Sequence, residues 1–429
     1  MISDNAILSF IKECEANENI NLINFILIHD GDIITHFCKE PYKKESKQLL
    51  FSMTKSFASF AIGIAYDKGL LKLDDFVTSF FDTELPENPH PNLAKMRIRH
   101  LLSMTVGIHD NTYAELFPQK NWIKAFLAQE FPHEPGTFYR YSTHATHMLS
   151  AIIEKVSGQN LADFLNANML WPMEINDAQW EYSPEGLIAG GMGLSLRPSD
   201  LAKVAIMLLN NGTYNNQRII SEEYLLQATS VQAIKQDEVN ANDNYFSGTE
   251  YGYQIHISPN GVYRAEGAFG QYCLIHPTKK IAVIATSQRT KTECFLALVG
   301  KHLIKDSMPS EHKRYKMDEN ELNIKIVELM ENYVVFEFEN GIVDYIAYDF
   351  QKPIYGHSHF VKDIQIHKQA HCVYASCSQD NCLLITIYYI ETPYVAEYTF
   401  KPNADKLTFG FGINVSLSLK GFTVSGSVK

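Results

Sequence analysis

The chain is 429 residues long, with 45 % hydrophobic and 20 % charged side chains and a formal net charge of −12. That usage is ordinary for a globular protein of roughly two to four domains, and it excludes wholesale disorder, a collagen-like repeat and a disulfide-stapled miniprotein. The acidic balance repels phosphate backbones and anionic lipid, which argues against nucleic acid and membrane as partners.

The N-terminal stretch MISDNAILSFIKECEANENI lacks a basic region followed by an apolar core, so no secretory signal is expected. From Asn21 to Phe37 two β-rich runs flank Asp30-Gly31, the signal of a hairpin. A helix is predicted from Met53 to about Asp67. Ala, Ile and Phe recur there at helical spacing, and Gly69 is the stop. From about Leu71 to Leu201 the texture is helical, with short helices predicted over Ile98–Met104, Ala114–Gln129 and Thr143–Val156. A further helix covers Leu201 to Asn210. Strands return at Tyr251–Ile257, Gln271–His276 and Lys280–Thr286, and Thr292–Lys305 reads as a closing helix. Strands at both ends of a helical insert at about 71–201 predict an α/β sheet domain with an α subdomain, over residues 1–305.

The polar run DSMPSEHKRY, residues 306–315, reads as a linker. Beyond it Tyr333–Glu339, Cys382–Ile390, Val395–Phe400 and Asn414–Leu419 are predicted strands, and residues 316–429 a small all-β barrel or sandwich. The seven cysteines are odd in number and scattered, with no CxxC and no zinc spacing. Free thiols in a reducing compartment follow, with no metal and no cofactor expected. Nowhere do about eighteen apolar residues run together, so a cytoplasmic location is expected.

Three stretches have the residue types of a catalytic site. Ser52-Met53-Thr54-Lys55 opens the first apolar helix. The i, i+3 spacing puts hydroxyl and amine on one face, and a Lys neutralised by burial can take the hydroxyl proton. Such a tetrapeptide arises by chance about once or twice in a chain of this length. The second stretch is Pro135-Gly136-Thr137-Phe138-Tyr139-Arg140-Tyr141-Ser142-Thr143. It places a phenol just before a helix, although a core aromatic followed by a Ser/Thr N-cap would look the same. The third is Ala265-Glu266-Gly267-Ala268-Phe269-Gly270-Gln271, a Gly-rich entrance to a strand or the turn of a hairpin.

Their order along the chain resembles the serine β-lactamase and penicillin-binding-protein superfamily, most closely its class C-like branch of esterases, D-aminopeptidases and amide hydrolases. RIRHLLSMTVGI at Arg97–Ile108 and GGMGLSLRPSDLAKVAIMLL at Gly190–Leu209 are similar to two further segments of that family. The resemblance covers roughly residues 20–305. It implies an antiparallel sheet flanked by helices, with an all-α subdomain. It implies Ser52 as the acylated nucleophile, Lys55 and Tyr141 as general base and proton shuttle, and an oxyanion hole from the backbone N–H groups of Ser52 and Ala268. Thr143, Glu266 and Gly267 fall at substrate-binding positions. The implied substrate is a small ester, amide or peptide.

This sequence departs from the family pattern in two places. Thr143 stands where the family's Tyr-Ser/Ala-Asn motif has Asn. Ala265-Glu266-Gly267 stands where Lys-Thr-Gly or His-Thr-Gly is usual, unless the register slips to Val262-Tyr263-Arg264. In the first register Glu266 repels a substrate carboxylate, so β-lactam hydrolysis is expected to be poor. A fold kept for ligand binding or sensing, and a D-amino-acid or wall-peptide peptidase, are the alternatives. His144/His147 and His357/His359 read as ordinary histidines, because no third metal ligand has a suitable spacing. No GxSxG, HExxH or GxxxxGK[ST] occurs.

Overall fold

The computed structural model describes residues 2, 4–235, 250–258, 261–304, 314–330, 333–350, 353–362, 365–377, 382–390, 392–403, 405–416 and 419–428. The chain forms two compact units, Met1–Ile304 and Lys305–Lys429.

In the first unit β1 (Ile20–His29) and β2 (Asp32–Cys38) form the expected hairpin, turned by Asp30 at φ 53° and Gly31 at φ 89°. Strands β3 (Ala233–Ile234), β4 (Glu250–Tyr251), β5 (His256–Ile257), β6 (Tyr263–Gly267), β7 (Gln271–His276) and β8 (Ile281–Thr290) complete an antiparallel sheet in the order β2-β1-β8-β7-β6-β5-β4-β3. β1 reads as an almost continuous apolar run because helices cover both faces. Phe25 and Leu27 join Phe10 of α1 (Asp4–Ala16) and, on the C-terminal side, Phe295 of the last helix. Ile26 and Ile28 face the opposite way, into the larger core.

That larger core is built on α2 (Thr54–Asp67), in which every residue from Thr54 to Ala65 is buried. Gly63 is required because a Cβ there would meet the Tyr224 ring at 2.4 Å. α3 (Thr143–Ser157) packs against α2, and α4 (Pro198–Leu209) packs against β1, β7 and β8, with Phe57, Phe60, Leu149, Ile152 and Leu201 among the buried residues of this core. Each large apolar side chain buried here stabilises the fold by about 1.5–3 kcal/mol. The closing helix is α5 (Thr292–Val299), continued by a π turn over Gly300–Ile304.

Several predicted elements are corrected. Ala114–Gln129 is two helices, Tyr113–Leu116 and Trp122–Leu127, because Pro118 between them cannot donate to a helical ladder. Tyr251–Ile257 is broken into β4 and β5, with Gln254 at φ 61° between them. α1 is an additional helix, whose buried face is Ile7, Phe10 and Cys14 at helical spacing.

The second unit is one antiparallel meander of ten strands. They are β9 (Arg314–Met317), β10 (Ile324–Leu329), β11 (Tyr333–Phe338), β12 (Val343–Ala347), β13 (Ile354–Lys362), β14 (Gln365–Cys377), β15 (Leu383–Tyr389), β16 (Val395–Asn403), β17 (Lys406–Ile413) and β18 (Phe422–Val428). Strand β9 pairs with both β10 and β18, so the two ends of the sheet are β12 and β13. The Asp344 carboxylate of β12 accepts from the His359 backbone N–H of β13 at 2.6 Å, which ties those ends into a near-barrel. Asn414–Leu419 is no strand among its described residues, and the pairing segments are β17 and β18 on either side. The predicted linker lies outside the described residues except for Arg314 and Tyr315, which belong to β9. Among the described residues no helix is long and apolar enough to cross a membrane.

Candidate active site

Ser52 sits in a 3-10 turn, Phe51–Met53, that runs directly into α2. One turn on, Lys55 is 1 % exposed. Its Nζ donates to Ser52 Oγ at 3.1 Å, to Thr143 Oγ1 at 3.2 Å and to the Gly191 carbonyl at 2.6 Å. Burial strips water from the ammonium and brings Lys55 from 10.5 down to about 7. Gly191 approaches so closely that a Cβ would meet Thr143 Cγ2 at 2.7 Å. Only glycine lets this carbonyl reach the amine.

Tyr141 precedes Ser142, the N-cap of α3, whose Oγ accepts from Ala145 N at 3.2 Å. The phenol hydrogen-bonds with Ser52, and the Lys55 amine lies 5.0 Å from the ring centroid. Burial pushes the phenol above its usual range. The bond to Ser52 opposes that shift and the charge of Glu266 adds to it. Thr143, at the family's Asn position, thus presents an oxygen to Lys55.

The third stretch is a hairpin turn between β6 and β7. Gly267 comes against the turn before Ser52, where a Cβ would meet the Leu50 carbonyl at 2.1 Å. Ala268 follows it in the turn, and its carbonyl accepts from the Gln271 side chain at 3.3 Å. Ala265 joins the core around α2, whereas Glu266 takes the other side of the strand, opposite Tyr272. Its carboxylate accepts from Arg264 Nε at 2.7 Å and from Thr292 Oγ1 at 2.9 Å. Arg264, 5 % exposed, is thus engaged by Glu266 within the same strand.

Sequence reasoning missed the second layer. Tyr251 packs edge-on against Tyr141, with ring centroids 6.4 Å apart, and against His256 at 5.2 Å. Buried Lys235 donates to His256 Nδ1 at 3.0 Å. Burial, then Lys235, Arg264 and Lys55, keep His256 well below its ordinary range. His144 and His147 are buried under Trp122, and Glu185 Oε1 bonds His147 Nε2 at 3.1 Å. Burial alone would raise the Glu185 carboxyl. His147 and backbone N–H groups outweigh it and hold the group at about 2. His357 is exposed, and His359 is on Asp344. No group of three metal-ligating side chains occurs among the described residues.

A sheet covered by helices on both faces, with an all-α part over Ser52 and Lys55, is the beta-lactamase-like fold. The chain belongs to the beta-lactamase family, whose model matches residues 9–298. Penicillin-binding protein 4* of Bacillus subtilis is 29 % identical over 167 residues, which cover 35 % of this chain and 36 % of that protein. The octameric penicillin-binding protein homologue from Pyrococcus abyssi superposes with a TM-score of 0.58 at 19 % identity, over 98 % of this chain and 100 % of that one. EstCE1, a hydrolase with promiscuous acyltransferase activity, gives 0.56 at 17 %, over 70 % and 99 %.

Proposed function

We propose that this chain is a serine hydrolase of the class C-like branch, cleaving small esters or amides through an acyl-enzyme on Ser52. The observation that carries this reading is the buried Lys55, its pKa near 7, at 3.1 Å from Ser52 Oγ. Near neutral pH much of the amine is unprotonated, and the same contact then runs in reverse, from the Ser52 hydroxyl to Nζ. The phenol of Tyr141 is shifted the other way and stays protonated, so Lys55 is the resting base and Tyr141 the proton carrier.

The steps balance. Ser52 Oγ attacks the carbonyl carbon and its proton passes to Lys55. The carbonyl oxygen, now negative, takes the backbone N–H groups of Ser52 and Ala268. Tyr141 protonates the departing alcohol or amine and is reprotonated from Lys55. Water then attacks the ester carbon and gives its proton to the same pair, which returns it to Ser52 Oγ as that bond breaks and the acid leaves. The likeness to EstCE1, a hydrolase with acyltransferase activity, supports hydrolysis by way of an acyl group held on the enzyme. With Ala265 at the cation's position and Arg264 bound to Glu266 at 2.7 Å, a substrate carboxylate gains little, so β-lactams are poor substrates.

Hydrolysis of p-nitrophenyl butyrate and of nitrocefin tests this. Ester turnover abolished in Ser52→Ala, with nitrocefin left nearly intact by the wild type, is expected. Ester turnover that survives Ser52→Ala, or fast nitrocefin turnover, contradicts the reading.

A further inference from the structure

Two bulky residues flank the proposed reaction centre in a backbone conformation that favours glycine. Phe51, bonded to Ser52, has φ 48°, and Phe269, bonded to Ala268, has φ 67°. Neither is β-branched, yet an aromatic side chain at positive φ is a genuine outlier, and such strain persists only where the surroundings hold it. The surroundings do hold it. Gly267 is pressed against the Leu50 carbonyl, and Gly270, at φ 94°, has Thr290 Cβ where its own Cβ would come at 2.6 Å. The turn that carries Phe269 is therefore fixed at both ends.

The two rings meet edge to face, centroids 5.0 Å apart at 72°. Phe51 is half-buried, and Phe269 remains 55 % exposed. A large aromatic left that open in a rigid, strained turn is poorly explained by packing, since glycine would adopt both conformations without strain. The pair stands beside the two backbone N–H groups that, on the reading above, bind the carbonyl oxygen. Once the carbonyl carbon is bonded to Ser52 Oγ, its acyl substituent lies among the neighbours of those two donors. The carboxylate of Glu266, two residues before Ala268, is paired with Arg264.

We infer that Phe51 and Phe269 form an apolar clamp that selects substrates with a bulky, uncharged acyl group. Phe269 is its exposed jaw, and Phe51 is the support that fixes the ring's orientation. This inference rests on the acyl-enzyme reading and specifies its substrate class as esters or amides of medium-chain or aromatic acids.

The test is kcat/KM for p-nitrophenyl acetate, butyrate, octanoate and benzoate, with one leaving group throughout. The wild type is expected to favour octanoate and benzoate over acetate. In Phe269→Gly, which suits the left-handed φ, the octanoate-to-acetate ratio is expected to fall about tenfold, with Phe269→Leu between. A flat wild-type series overturns the clamp without any variant, and so does an unchanged ratio in Phe269→Gly. Labelling of Ser52 by a small fluorophosphonate separates the two failures. Labelling with a flat series defeats the clamp alone, whereas absence of labelling in the wild type defeats the acyl-enzyme and the clamp with it.

Discussion

Each unit contains a serine beside a basic side chain, and the tighter of the two pairs is not the reactive one on our reading. In the β unit Ser358 Oγ lies 2.6 Å from His371 Nδ1, against 3.1 Å between Ser52 and Lys55. Ser358 is wholly buried, and His371 is 3 % exposed. The Tyr389 phenol bonds Ser358 as well, and burial drives that phenol far up. Ser52 differs in three ways. It is half-buried, it stands at the start of a helix next to a strained residue, and its base is a lysine whose charge the site disfavours. Proximity of a hydroxyl and a base therefore says little. Access and a shifted proton affinity make the difference.

The sharpest way to break this comparison is to remove each serine in turn. Ser52→Ala is expected to lower ester kcat by about a thousandfold or more, as loss of a nucleophile does elsewhere. Ser358→Ala is expected to leave turnover unchanged. Equal losses in a turnover assay would end the distinction. Lys55→Met comes next, with a fall of about 10²–10⁴-fold. It also carries an opposite effect on stability. Lys55 is buried with a lowered pKa, so below pH 7 the folded state bears the full cost of a buried charge. As pH rises from about 7 towards 10.5 the folded state sheds a proton that the unfolded state keeps, and stability rises. Lys55→Met should then melt higher than the wild type at pH 6, with the gain shrinking above pH 8. A variant that melts lower at pH 6 would show that the amine is not desolvated as described.

A third experiment follows the same proton. In a pH series, kcat/KM for a neutral ester should rise through an apparent pKa of about 7 as Lys55 deprotonates. A rise only above pH 9 would assign the base to Tyr141 instead. Gly191→Ala should cost about tenfold or more in kcat, because a Cβ at 2.7 Å from Thr143 Cγ2 moves the carbonyl off Lys55. The smallest effect belongs to the β unit. His371→Ala should lower its stability by about 1–3 kcal/mol in urea, because the buried Ser358 hydroxyl loses its imidazole partner, and should not change turnover.

How legible these features were depends on their range. Ser52 and Lys55 lie one helical turn apart, and Tyr141 directly precedes the Ser142 cap, so local spacing suffices to place each. The Gly191 carbonyl reaches Lys55 from 136 residues away, and nothing in the glycine pair itself announces which amine it meets. Arg264 and Glu266 share one side of a strand because they are two apart. Their pairing was open to period-2 reasoning, and it sets a cation beside the carboxylate that Glu266 presented when taken alone. The strain at Phe51 and Phe269 left no mark in the sequence, since bulky residues give no signal of a positive φ. In the fold, the continuous apolar run of β1 and the hairpin at Asp30-Gly31 were plain. β17 was hidden by Gly410 and Gly412, which weaken a strand pattern that its neighbours β16 and β18 complete.

The central claim is an accessible, lysine-activated Ser52, and the most direct measurement is site-mapped labelling. The full chain is treated with a small fluorophosphonate across pH 5–9, and the modified peptide is identified by mass spectrometry. A single adduct on Ser52, forming at a rate that climbs through about pH 7, is the predicted result. Adducts on Ser358, or none at all at any pH, would contradict it.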